Sequence, residues 1–184
     1  LRILKADEEL EAWVQGDGGR FVLFRTWPIC TFSGQLGPKT AQGDLQAPEG
    51  FYFVSPGRMN PASSFHLSFN LGYPNAYDRA HGRTGNYLMV HGSCASIGCY
   101  AMTDPVIEQI WTLMEKAFDG GQPIVRTHVF PFRMTDENLA ARADDPWADF
   151  WSNLAEGWRA FEETKVPPNV RVEDKRYVFD RRAP

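Results

Sequence analysis

The chain has 184 residues, 43% hydrophobic and 14% aromatic, enough for one globular domain with a substantial core and too apolar for a disordered chain. Nineteen Lys and Arg stand against 23 Asp and Glu, a net charge of −4, and no basic run interleaved with aromatics appears; both argue against nucleic acid as a partner. No apolar run approaches the ~18–20 residues that cross a bilayer, so no transmembrane segment is expected.

Leu1–Leu4 alternates and predicts a first strand. Glu9–Gln15 and Phe21–Thr26 predict a hairpin turning at Asp17-Gly18-Gly19. Extended chain continues through Trp27–Ser33, with Pro28 confined to an edge or bulge. Gly34–Glu49 reads as loop, and Phe51–Val54 as a strand entered through Pro48-Glu49-Gly50. Ser64–Leu71 alternates Phe65, Leu67, Phe69 and Leu71 against His66, Ser68 and Asn70, a half-buried strand. Tyr73–Gly85 is irregular, and Tyr87–His91 is a further strand. Asp104–Phe118 carries an apolar stripe at helical spacing, with Asp104-Pro105 at its start and Gly120-Gly121 at its end. Ile124–Phe130 reads as a closing strand. A second helix starts at Asp145-Pro146, with Trp147, Phe150, Trp151, Leu154, Trp158 and Phe161 on one side, and Pro167-Pro168 follows it. The sum is a β-rich α+β domain with one helix beside the site and a helical C-terminal extension.

The stretch Leu88–Asp104, LMVHGSCASIGCYAMTD, carries the chemistry. A strand delivers His91 and Gly92, and a short loop then brings Gly98 and Cys99. The thiolate is the reactive form of cysteine, and an imidazole beside it can take the proton and form a thiolate–imidazolium pair. Gly98 allows a tight turn whose amides, at Gly98, Cys99 and Ile97, could face a developing oxyanion. The spacing alone leaves two other readings open: buried structural side chains, or a zinc site of His91, Cys94 and Cys99, which lacks an obvious fourth ligand. Three cysteines, Cys30, Cys94 and Cys99, do not make a complete disulfide framework; in an oxidising compartment the close spacing suggests a Cys94–Cys99 bond that would switch the site off.

His91-Gly92 followed by Ser96-Ile97-Gly98-Cys99 resembles the signature of the YkuD-type L,D-transpeptidases, a His-Gly and then Ser-His-Gly-Cys. The chain departs from it in a shorter spacer, in Ile97 for the second histidine, and in Ala101 two residues after the cysteine. These departures resemble the YafK/DpaA-like subgroup, as do Leu36-Gly37-Pro38-Lys39 with Gly43-Asp44, Pro48-Glu49-Gly50-Phe51-Tyr52, Phe69–Asp78 and Val129–Met134. The resemblance implies a YkuD-like catalytic domain over residues 1–134 and a helical extension over 135–184 that packs on it and shapes one wall of the cleft.

It also implies roles. Cys99 would be the nucleophile and His91 its base, the latter oriented through the Gly92 carbonyl. Ser96 matches the family's serine. His66, Arg83, Tyr87 and Arg133 are candidates for binding substrate, the arginines because they pair bidentately with carboxylates; His81 and His128 read as structural or exposed. The implied reaction is acyl transfer on diaminopimelate-containing peptidoglycan stem peptides through a Cys99 thioester, giving L,D-transpeptidase cross-links. The alternatives are a hydrolase of the same family, either a DpaA-like amidase releasing peptidoglycan-linked lipoprotein or an L,D-carboxypeptidase. A non-catalytic peptidoglycan-binding module is the rival of another class. A papain-like peptidase would instead place its Cys early and its His far downstream. No metal and no cofactor are expected. The partners would be stem peptides and a peptidoglycan-linked lipoprotein, the molecule a monomer, and its place the periplasm or cell envelope; the opening at Leu1, without a signal sequence, fits a processed form and a trimmed chain alike.

Overall fold

In the computed structural model, which describes residues 1–180, two five-stranded sheets enclose a shared core. The first sheet has the order β3-β2-β1-β10-β5, formed by Phe21–Pro28, Glu9–Gln15, Arg2–Leu4, Val125–Phe130 and Gly50–Val54. The second has the order β4-β9-β8-β7-β6, formed by Thr31–Phe32, Tyr100–Ala101, Met89–His91, His66–Asn70 and Met59–Ser63. All neighbours are antiparallel except β1 with β10 and β8 with β9.

Ile3, Leu10, Tyr52 and Val129 from the first sheet meet Phe69, Val90 and Tyr100 from the second. Helix α2, Asp104–Asp119, closes this core with Ile107, Ile110 and Met114, the stripe expected from the sequence. The period of two sends the alternate residues of the first sheet the other way. Leu4, Phe51 and Phe130 pack on Phe150, Trp151, Leu154 and Trp158 of α4, Ala148–Thr164. Strands β1, β10 and β5 of the first sheet are therefore buried on both faces, and the Ile124–Phe130 segment is a central strand rather than a closing one.

Several local expectations are corrected. Short helix α1, Ala76–Ala80, lies in a stretch read as irregular, and α3, Asp136–Ala140, is a short helix of the extension that was not singled out. The extension is not purely helical: β11, Asn169–Glu173, and β12, Arg176–Asp180, form a hairpin beyond Pro167-Pro168, and Tyr177 of β12 packs into the α4 core. His66 has φ +68 and Phe65 before it is exposed, while Ser68, on the side that meets the cleft, is buried. Helix α2 starts at Asp104 with Thr103 at the cap, so Asp104 is the first helical residue and Pro105 the second.

A buried ion pair fastens the long loop before β5. Lys5 Nζ donates to Glu49 Oε1 at 3.0 Å and to the carbonyls of Gln35, Gly37 and Ala47. Glu49 also accepts from Gly37 N at 2.7 Å and from Trp151 Nε1 at 2.9 Å. The α4 extension thus braces the 34–49 loop from behind. It contributes no residue to the cleft described next, contrary to the expectation that it forms a wall.

Candidate active site

Strand register decides where His91 and Cys99 point. In the parallel pair β8 and β9, Val90 lies opposite Tyr100, and His91 opposite Ala101. Val90 and Tyr100 are fully buried between the sheets. The next positions, Met89, Cys99 and His91, therefore face the other side. Cys99 falls beside Met89, whose N–H donates to Cys99 Sγ at 3.4 Å. His91 sits on the diagonal from Cys99, and diagonal neighbours on one sheet face are ~7–8 Å apart between Cα atoms, within reach of an imidazole and a thiol. Both line one cleft of about 560 Å3.

The His91 tautomer follows from its neighbour. Nδ1 lies 2.6 Å from the Gly92 carbonyl oxygen, which can only accept, so Nδ1 carries the hydrogen and Nε2 keeps its lone pair. Phe65 lies over the ring at 4.8 Å between centroids. Gly92 is required by space: a Cβ there would come 2.6 Å from Asp104 Oδ1 and 3.1 Å from His66 Cβ. Gly98 is required by its backbone, with φ +138.

Burial holds both groups in their neutral forms. It pushes the His91 imidazole down, partly offset by the Gly92 carbonyl. It pushes the Cys99 thiol up, against the Met89 N–H and the charge of Lys39. The thiol hydrogen is directed at the Tyr87 carbonyl, 3.7 Å away. Burial thus favours a neutral thiol and a neutral imidazole over the thiolate–imidazolium pair read from the sequence. Alkylation of Cys99 by iodoacetamide is therefore expected to rise about tenfold per pH unit from about pH 7 to 9, because thiolate is still being formed there. A rate already flat between about pH 5 and 8 would indicate a preformed ion pair and contradict this electrostatic picture.

The loop between the two residues is fastened at several points. Ser93 N donates to Asp104 Oδ1 at 2.7 Å, and Cys94 N to the Met102 carbonyl at 3.2 Å. Cys94 is bonded to Cys30, with Cα atoms 5.4 Å apart, and Cys99 is the free thiol. This corrects the expected Cys94–Cys99 bond, and a zinc site using Cys94 falls with it. The pairing arises because β4 lies against β9, which carries Cys30 to the loop that Cys94 occupies. Ser96 Oγ accepts from the Gly98 and Cys99 amides at 3.2 and 3.0 Å, contacts Ser33 Oγ at 3.0 Å and donates to the Cys99 carbonyl at 2.7 Å. The two amides expected to face an oxyanion are instead turned into the loop by this hydroxyl.

The cleft gathers some of the expected residues and not others. Tyr87 and Ile97 line it, 70% and 83% exposed at its rim. His66 stands outside it and pairs with Glu108 at 2.7 Å. Arg83 is buried, bonded to Asp78 at 2.8 Å and stacked over Tyr77 and Phe150. Arg133 is taken by Asp7, Glu9 and Glu11. Neither arginine lines the cleft, since acidic partners hold them elsewhere. Phe65, Leu45, Met89 and Lys39 do line it without having been singled out. Lys39 had a signal, its place in the Gly-Pro-Lys…Gly-Asp run.

Comparison with known proteins adds three findings. The family model of the YkuD L,D-transpeptidase catalytic domain matches residues 3–130. The Escherichia coli (strain K12) protein YafK, named as a candidate L,D-transpeptidase, is 44% identical over 181 residues, which is 98% of this chain and 73% of that protein; the same holds for YafK of strain O157:H7. The helical cell shape determining protein Pgp2 of Campylobacter jejuni has a similar fold. Its K307A mutant superposes with a TM-score of 0.60 at 22% identity, over 90% of this chain and 57% of that one. The unsubstituted Pgp2 gives 0.59 at 19%, over 95% and 72%.

Proposed function

Because the chain belongs to the family of YkuD L,D-transpeptidase catalytic domains, we propose that it is a peptidoglycan-modifying enzyme that passes an acyl group of a diaminopimelate-containing stem peptide through a Cys99 thioester. The observation that carries this reading is geometric. The free thiol and an imidazole with its Nε2 lone pair available lie on one sheet face, in one cleft, on adjacent strands.

Nε2 of His91 takes the Cys99 proton as sulfur attacks the peptide carbonyl. The carbon–nitrogen bond breaks, and the amine leaves with the proton that His91 returns. A second stem's amine then attacks the thioester, its proton passes through His91, and the thiol is restored with a new cross-link formed. The Met89 N–H supports negative charge on the sulfur. Ser96 acts indirectly, by holding the loop that delivers Cys99.

The proposed place is the periplasm or cell envelope. The Cys30–Cys94 bond supports it, since disulfides persist in oxidising compartments. No helix among the described residues is long and apolar enough to cross a membrane.

Incubation with defined muropeptides, with and without an amine acceptor, read by mass spectrometry, tests the reaction. Acceptor-dependent cross-linked dimers are expected. Shortened stems, or lipoprotein peptide released from stems, would mean that water is the acceptor and would replace transfer by hydrolysis.

A further inference from the structure

The arginines that could grip a substrate carboxylate lie away from the cleft, yet the cleft is not without a cation. Among the residues lining it, Lys39 is the one lysine or arginine, and no aspartate or glutamate is present. Lys39 is 5% exposed. Its stem lies against Gly85, where a Cβ would come 2.9 Å from Lys39 Cε. An ammonium has three donors. One goes to the Ala41 carbonyl at 2.9 Å and one to Asp44 Oδ1, which leaves the third for a ligand.

Asp44 is the counter-ion of this ammonium and is itself fixed in place: its carboxylate also accepts from the amides of Thr40, Ala41 and Gln46 at 2.9, 3.0 and 3.1 Å. What Asp44 does is fold the 39–46 loop around the lysine and hold the ammonium at the cleft. There, shielded from water, a charge acts more strongly than on the surface. Its field reaches the Cys99 sulfur, where it opposes the effect of burial.

We propose that Lys39 is the residue that selects acyl donors whose diaminopimelate side-chain carboxylate is free. This rests on the acyl-transfer reading above, and it gives the cleft a preference for acidic stems over amidated ones. Lys39 binds the carboxylate directly through its remaining donor, and the Asp44 loop supplies its aim.

Binding and turnover separate this inference from the reading beneath it. The Cys99→Ala protein is titrated by calorimetry with a diaminopimelate-containing tetrapeptide stem, once with its diaminopimelate carboxylate free and once amidated. The free acid is expected to bind about tenfold more tightly than the amide, as for one charged hydrogen bond. Lys39→Met in the same background is expected to abolish that preference while leaving amide binding within about twofold. Lys39→Gln, which keeps donors but not charge, provides the same readout should the methionine variant fold poorly. Equal binding of acid and amide to the Lys39 protein, or equal weakening of both by the variants, overturns the proposal, as does no binding of either. Turnover of the same peptides by the Cys99 protein is read in parallel. Acid-selective binding without turnover would sink the acyl-transfer reading alone, and turnover without acid preference would sink the role of Lys39 alone.

Discussion

Cys99→Ala is expected to lower product formation from muropeptides by ~10^4-fold or more, a loss of at least ~5.5 kcal/mol in transition-state stabilisation. Covalent catalysis splits one difficult displacement into two easier ones, and both disappear with the sulfur. The fold should survive. The Cys99 side chain makes two weak contacts, to Met89 N and Tyr87 O, and packs in no core cluster. A melting temperature within a few degrees of the parent is therefore the accompanying result. Turnover close to that of the parent in a well-folded Cys99→Ala protein would remove Cys99 from the chemistry and take the proposed function with it.

The largest effect on stability is expected at Glu49→Ala. Lys5 and Glu49 are both fully buried, and the substitution leaves the Lys5 ammonium without its counter-charge. It also strips the acceptors from Gly37 N and Trp151 Nε1. Removing one partner of a buried pair costs ~3–5 kcal/mol, because an uncompensated charge stays inside. For a domain of this size that is a fall of about 6–20 °C in Tm, read by circular dichroism. Lys5→Met combined with Glu49→Leu is expected to recover the part due to the stranded charge, while Gly37 N and Trp151 Nε1 stay without their acceptor. A Glu49→Ala protein that melts with the parent would mean that the pair contributes nothing and that the 34–49 loop is held by other contacts.

The sequence made long-period features legible and hid those that depend on distant partners. The α2 stripe appears as Ile107, Ile110, Trp111 and Met114, all buried. The β2–β3 hairpin appears because a glycine turn announces it, although a bulge at Ala12-Trp13 shifts its register. The β11–β12 hairpin was missed because its turn residues, Asp174 and Lys175, adopt φ of +47 and +61 without the Asn-Gly or Asp-Gly that announces such a turn. Phe65 leaves the core face where the chain turns left-handed at His66, which no alternation reports, while Phe69 and Leu71 keep theirs. At the site, His91 and Cys99 were found by residue type and order. Arg83 and Arg133 were misplaced because their acidic partners, in space, decide whether a guanidinium is free. Lys39 was passed over because the Gly-Pro-Lys…Gly-Asp run marks the two residues without saying that Asp44 folds the loop around the lysine at the cleft.

Three sulfurs can be joined as one pair in three ways. Two of those isomers would cap Cys99 and leave the proposed nucleophile inert, and only the Cys30–Cys94 isomer spares it. That isomer also closes a ring spanning 64 positions of sequence and tethers the segment that presents Cys99. Oxidative maturation of this protein is thus a sorting step, in which the bond that builds the scaffold also decides whether the molecule is born armed.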